Sequence, residues 1–155
     1  MDMQDIQQTA IWTLYEKGRN YHRRVGIYTD TDRNYNMYNG NQWAGAKLGD
    51  VEPVQKNFIK PIVKYKVSVI HSNLYAVHYS SQNYENRQFQ KEASRYCDLL
   101  NGYIHKLWEN DKMDFKGRRI TKDAAINDEG IIYVNYDKEK MTPVHEIIKK
   151  NDIYY

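Results

Sequence analysis

Apolar residues recur at intervals of three and four along much of the chain, which is the spacing of one helix face. Residues 85–111 show this spacing most regularly, and they predict a long amphipathic helix whose opposite, charged face is solvated. Residues 2–21 carry only a narrow apolar face, so we expect a peripheral helix there. The stripe of the long helix consists of Phe89, Ala93, Tyr96, Cys97, Leu100, Tyr103, Ile104, Leu107 and Trp108.

The periodicity is interrupted after the first helix. Residues 29–34 are polar, and the helical pattern loosens there before it resumes towards Met37. We expect this helix to end at Asn39 and Gly40, because glycine adopts the left-handed conformation that terminates helices. Residues 44–52 contain two glycines and no periodicity, which predicts a loop.

A second apolar helix is predicted to begin at Pro53, since proline is favoured in a first helical turn. Its apolar face is wide, which is typical of a helix close to the core. Pro61 lacks a backbone N–H, so we expect a kink near residues 57–62. The apolar stripe is Val54, Phe58, Ile62, Tyr65 and Val69, with Ile59, Val63, Lys66 and Ile70 beside it.

Short β-prone runs lie on both sides of the long helix. Residues 74–79 predict a strand bounded by polar residues. After the long helix we expect a helix at 113–126 closed by a turn ending in Gly130, strands at 131–136 and 142–148 around a hairpin turn at 137–140, and the beginning of a further strand at 152–155. The predicted fold class is α+β, mainly helical, with a small antiparallel sheet towards the C-terminus, in a single unit spanning residues 1–155.

Composition narrows the class of protein. A chain of 155 residues with 41% hydrophobic and 28% charged residues is globular and fits one domain. The 15 tyrosines suit half-buried surfaces and subunit contacts, although codon bias of an A+T-rich genome also raises tyrosine. The net charge of +3 is spread along the chain and does not demand a nucleic-acid partner. The single Cys97 favours a core role in a reducing compartment, and we expect neither a signal peptide nor a membrane span.

Signatures of catalysis are missing from the sequence. It holds no glycine-rich phosphate loop and no zinc-protease motif, and the five histidines have no second metal ligand at local spacing. Residues 30–34 resemble the start of a calcium loop, but Tyr35 and Asn41 occupy the positions that need glycine and glutamate. We therefore expect no enzyme, no cofactor, no metal and no catalytic residue. Apart from this expectation, one enzymatic hypothesis is a metal-dependent nuclease that uses Asp123 and its neighbours.

Basic residues support an alternative function. The densest cluster, which runs from Lys116 to Lys122, suits phosphate contact, and a stand-alone helical nucleic-acid-binding protein is the alternative hypothesis. A solvated helix face explains the same charges. The nucleic-acid candidates are Arg23, Arg24, Lys116, Arg118, Arg119 and Lys122.

The order of several motifs carries a family resemblance. These are residues 38–43 (Tyr-Asn-Gly-Asn-Gln-Trp), Pro53 with Asn57 and a helix at 59–70, the extended 74–79, the long helix with Leu100, Asn101, Leu107, Trp108 and Glu109, and residues 122–125 leading through Gly130 into the strand 131–136. From about residue 21 to residue 155 this order resembles the N-terminal part of tailed-bacteriophage portal proteins, the dodecameric head-to-tail connectors. In that setting Tyr38, Trp43 and Trp108 are packing or interface residues, with Trp43 filling a pocket beside the helix that starts at Pro53.

The resemblance implies a portal wing-like fold and a ring of subunits around a channel. Double-stranded DNA would enter the capsid through this channel, driven by a terminase motor, and later leave. Capsid and head–tail adaptor proteins would be further partners, and the location would be the capsid vertex of the virion after assembly in the host cytoplasm. Portal proteins are usually several hundred residues long, so we expect an incomplete portal without stem and crown. It would be a truncated gene product, an expressed fragment or one piece of a portal encoded in parts.

Overall fold

A computed structural model describes residues 3–73, 77–82 and 87–154. The described chain is α+β and mainly helical, with a small antiparallel sheet towards the C-terminus, which confirms the predicted fold class. Its elements are α1 (Met3–Val25), α2 (Ile27–Asn39), α3 (Ile59–Ile70), α4 (Arg87–Asn110), α5 (Met113–Asn127), β1 (Ile131–Asp137), β2 (Thr142–Ile148) and a 3₁₀ turn at Lys150–Asp152. No helix among the described residues is long and apolar enough to cross a membrane.

Helix α5 is the centre of the fold, because α2, α3 and α4 all contact it. The core of the described chain is small, and its buried hydrophobic side chains are Tyr38 of α2 and Val63 of α3. The hairpin pairs β1 with β2 in antiparallel register, with Ile131 opposite Ile148 and Asp137 opposite Thr142. Helix α1 contacts α2, and the 3₁₀ turn also contacts α2.

The long helix, the helix after it and the hairpin were correctly predicted, but residues 29–34 were not. They belong to α2, and α1 extends four residues beyond the predicted end at residue 21. Gly26, with φ of 81°, separates the two helices, and Gly40, with φ of 86°, ends α2 as expected. The polar segment is helical because Thr31 is buried and Tyr35 donates a hydrogen bond of 2.9 Å to Asp123 of α5. Neither contact contributes to an apolar periodicity.

The predicted helix start at Pro53 and the predicted kink at Pro61 are both wrong. Helix α3 begins at Ile59, where the Asn57 side chain accepts a hydrogen bond of 3.0 Å from the backbone N–H of Lys60. The same side chain donates to the Tyr38 carbonyl at 2.8 Å, which ties this helix start to the end of α2. Pro61 thus lies in the first turn, where its missing N–H would have had no intrahelical acceptor.

The predicted strand at 74–79 is not observed in its described part. Residues 74–76 lie outside the described residues, and residues 77–79 have no regular structure. The Asn101 side chain of α4 accepts a hydrogen bond from the Tyr79 N–H at 2.8 Å and donates one to the Tyr79 carbonyl at 3.1 Å. A side-chain amide thus satisfies the backbone groups that a neighbouring strand would otherwise pair.

The further strand predicted at 152–155 is also not present in the described residues 152–154; Tyr155 lies outside them. Tyr154 instead packs against α1, where a Cβ on Gly18 would lie 2.5 Å from the Tyr154 Cβ. Its hydroxyl shares a hydrogen bond of 3.1 Å with Tyr28, and this bond together with burial raises the pKa of Tyr154 to about 12. The His22 ring, 4.8 Å from the Tyr154 ring, is buried, and neither of its nitrogens has a hydrogen-bond partner among the described residues. Aromatic packing therefore holds this segment.

Candidate functional site

The chain exposes far more surface than a compact domain of its mass. Its solvent-accessible area is 13156 Å², whereas a compact monomer of 18.6 kDa exposes about 8,200 Å². The excess is several times the ~800 Å² that each partner buries in a standard protein–protein interface. The chain therefore has ample surface for contacts with other molecules.

One uncovered apolar surface runs along α3. The helix has two apolar faces, and only the one containing Val63, which is 6% exposed, packs inward. The other face, which we name the α3 stripe, is not buried by any side chain of the described residues. It consists of Phe58, Ile62, Tyr65 and Val69, which are 69%, 54%, 71% and 50% exposed.

A second uncovered surface runs along α4. One flank of this helix is partly covered, since Cys97 and Ile104 are half-buried. The last turns of α4 meet α5, where the Trp108 Nε1 donates a hydrogen bond of 2.9 Å to Asp114. The outer face, which we name the α4 stripe, consists of Phe89, Tyr96, Leu100 and Tyr103, which are 61%, 66%, 45% and 48% exposed.

Three predicted nucleic-acid candidates, Arg118, Arg119 and Lys122, meet Lys64 of α3 in one groove. This basic groove, a cavity of about 510 Å³ between α3 and α5, is lined by aromatic and apolar side chains as well as cations. The Lys122 ammonium lies over the Tyr38 ring, 5.9 Å from its centroid, and Lys60, beside the groove, lies over the same ring at the same distance. No carboxylate of the described residues forms an ion pair with Lys60 or with the cations that line the groove, which are Lys64, Arg118, Arg119 and Lys122.

The other basic candidates lie elsewhere. Lys116 forms an ion pair with Asp111 and donates a hydrogen bond of 2.5 Å to the His145 carbonyl, so it is engaged in the fold. Arg23 and Arg24 are exposed in the last turn of α1, and the Arg24 guanidinium lies 5.5 Å from the ring centroid of Tyr21. Lys60 and Lys64 were missed from the sequence, although their spacing of four residues places both on one helix face.

The three aromatic candidates occupy different environments. Tyr38 is 9% exposed beneath the basic groove, and Trp108 is half-buried at the junction of α4 and α5. Trp43 is 43% exposed, and its Nε1 donates a hydrogen bond of 3.2 Å to the Val54 carbonyl. The pocket expected around Trp43 is not formed, because the residues after Pro53 are not helical.

The carboxylates considered for metal or acid–base chemistry are engaged in structural contacts. Asp123 accepts the hydrogen bond from Tyr35, and burial together with this bond raises the pKa of Tyr35 to about 12. Glu129 lies 3.4 Å from the Lys150 ammonium, and Asp128, with φ of 69°, ends α5. The described residues contain no group of three side chains suited to hold a metal ion.

The surfaces best suited to bind another macromolecule are therefore the two apolar stripes and the basic groove. The stripes suit a protein partner, since exposed apolar surface of this extent is characteristic of interaction sites. The groove suits a polyanion, since its cations have no partners among the described carboxylates. The chain matches no known family model, no curated protein and no solved structure at a significant level.

Proposed function

We propose that this chain is a structural assembly subunit, belonging to a phage portal ring through which double-stranded DNA enters and leaves the capsid. The observation that carries the proposal is the exposure of two apolar stripes, on α3 and on α4, while few hydrophobic side chains of the described residues are buried. Large exposed apolar surfaces mark sites where partners bind, and the interfaces of obligate subunits are especially apolar. The portal assignment itself rests on the order of sequence motifs.

A closed ring requires two different contact faces on each subunit. Each copy contacts two neighbours through two different faces, because rotational symmetry about the ring axis joins unlike surfaces. The α3 stripe and the α4 stripe are two such faces on separate helices. In the proposed portal the further partners are the terminase motor, the capsid and head–tail adaptor proteins, without a membrane, at the capsid vertex of the virion.

Sedimentation velocity over a range of concentrations tests the assembly function. We expect the mass to rise above the 18.6 kDa of a monomer, and Ile62→Gln on the α3 stripe to shift the association to higher concentration. Val134→Gln is the matched control, because Val134 is a 57% exposed apolar residue outside both stripes. A wild-type chain that stays monomeric throughout contradicts the proposal. Negative-stain microscopy then distinguishes closed rings from open filaments. Open filaments would contradict the portal assignment.

The basic groove favours a second candidate function, nucleic-acid binding. Cations from two helices converge on it, and phosphate neutralisation by such groups releases counterions, so the affinity falls steeply with salt. In fluorescence anisotropy with labelled DNA, we expect the double variant Arg118→Ala, Lys122→Ala to bind more weakly. The slope of log binding constant against log salt concentration should also become shallower by about one unit for each lost phosphate contact. Lys91→Ala with Arg95→Ala, at exposed positions of α4, is the control of equal charge. No binding at low ionic strength excludes this function.

A further inference from the structure

We infer that the α4 stripe of one copy docks in parallel along the α3 stripe of a second copy of this chain. The inference rests on the proposed assembly function and names the two surfaces that meet. Both stripes are exposed along most of their length, and the excess accessible surface of the chain is sufficient for one such contact on each side of every subunit.

The spacing of the two stripes is that of helices that pack side by side. Phe58, Ile62, Tyr65 and Val69 are separated by four, three and four residues. The α4 stripe, with Ala93 between its first two members, has the same alternation. In a heptad, four residues separate position d from the next a, and three separate a from the next d. The first and third residues of each series are therefore at d and the second and fourth at a, the positions whose side chains interlock with those of a facing helix.

Charges beside the stripes select the partner and the register. Lys66 follows a d residue and occupies position e of α3, and Glu92 precedes an a residue and occupies position g of α4; both are exposed. In parallel helix pairs a g residue meets the e residue of its neighbour, so a Glu92–Lys66 contact joins α4 to α3. Lys106 also occupies position g of α4, but in this register it lies beyond the end of α3 at Ile70 and meets no residue of that helix.

The register set by this ion pair also matches the apolar residues. It aligns two aromatic levels and places the largest aliphatic side chain of the α3 stripe opposite a small residue, so that the two helices can approach closely. The facing levels are Phe58 with Phe89, Ile62 with Ala93, Tyr65 with Tyr96 and Val69 with Leu100.

Two other arrangements make different predictions. A symmetric antiparallel α4–α4 contact would pair Glu92 with Lys106 of the second copy, and it would leave the α3 stripe in water. Docking of α4 onto α3 within one chain would bury both stripes without any increase in mass. The contact between copies covers both stripes and, because it joins unlike faces, leaves each copy able to bind a further one.

A charge exchange tests the contact. We expect Lys66→Glu and Glu92→Lys each to weaken self-association about fivefold in sedimentation equilibrium, because like charges then face each other. The double variant should return to within about twofold of wild type. Lys106→Glu is the control and should leave the association unchanged, whereas a symmetric α4–α4 contact would be weakened by it and unaffected by Lys66→Glu.

Mixing the two single variants distinguishes contact between copies from contact within one chain. The lysine that Glu92→Lys introduces on α4 can meet the glutamate that Lys66→Glu introduces on α3 of the other variant, so the mixture should associate more tightly than either variant alone. Failure of the mixture and of the double variant to recover overturns the inference. If wild type associates but the effects of the two substitutions do not compensate each other, the α4–α3 contact is wrong and the assembly function stands. A wild-type chain that stays monomeric contradicts both the contact and the assembly function.

Discussion

Replacing Asp111 with alanine is expected to lower the free energy of unfolding by about 3 kcal/mol, because it leaves two half-buried polar partners unsatisfied. The Asp111 carboxylate, 15% exposed, forms an ion pair with Lys116 and lies 2.6 Å from the His145 Nδ1. It also accepts a hydrogen bond of 3.2 Å from the His145 backbone N–H. One side chain at the end of α4 thereby joins α5 to β2, and urea denaturation measures its contribution.

The pH dependence identifies the carboxylate as the source of this stability. Burial raises the pKa of Asp111, but the hydrogen bonds from Lys116 and His145 outweigh this effect and hold the pKa below its ordinary range. A depressed pKa in the folded state means that the stabilisation is fully present above about pH 4 and is lost as the pH falls through the folded-state value. The difference between wild type and Asp111→Ala should therefore shrink in acid.

Asp98→Ala, within helix α4, is the matched control. Asp98 is exposed, so its replacement should change the free energy of unfolding by no more than about 0.5 kcal/mol at any of these pH values. Equal effects of the two substitutions would show that the Asp111 contacts do not stabilise the fold. A loss in Asp111→Ala that persists undiminished in acid would assign the effect to something other than the charged carboxylate.

The parts of the fold that the sequence predicted are those with local signals. Helices α4 and α5 and the hairpin follow from periodicity and turn residues, which act over a few positions. Helix α2 was missed in its polar half because its stabilising contacts, such as Tyr35 with Asp123, join residues distant in sequence. The packing of Tyr154 against Gly18 is of the same kind, and no local pattern distinguishes it from a short strand.

The interaction surfaces were predicted only in part, for a related reason. Periodicity identifies which face of a helix is apolar, but it does not say whether another element covers that face. The stripe through Ile62 was therefore expected near the core, whereas it is exposed and the face through Val63 packs inward. The α5 half of the basic groove was recognised from its density of charge, whereas Lys60 and Lys64 required the knowledge that α3 packs on α5.

Gly130→Ala is expected to lower the free energy of unfolding by about 3 kcal/mol, although it adds only one methyl group. The new Cβ would lie 2.5 Å from both the carbonyl oxygen and the Cγ2 atom of Ile120. The side chain of Ile120 can rotate away, but its carbonyl belongs to the backbone of α5 and cannot move without displacing the helix. The connection between α5 and β1 would have to open, and the hairpin would lose its position on the helix.

The same substitution at Gly102 is the control, because it should change the free energy of unfolding in the opposite direction. Gly102 is an exposed position inside α4, and a Cβ there would meet no atom within 4 Å. Alanine has the higher helix propensity, so Gly102→Ala should raise the free energy of unfolding by about 0.5–1 kcal/mol. Urea denaturation of both variants separates the two effects. A stabilising or neutral Gly130→Ala would mean that α5 and β1 are not in the close contact that fixes the hairpin on the helical part of the chain.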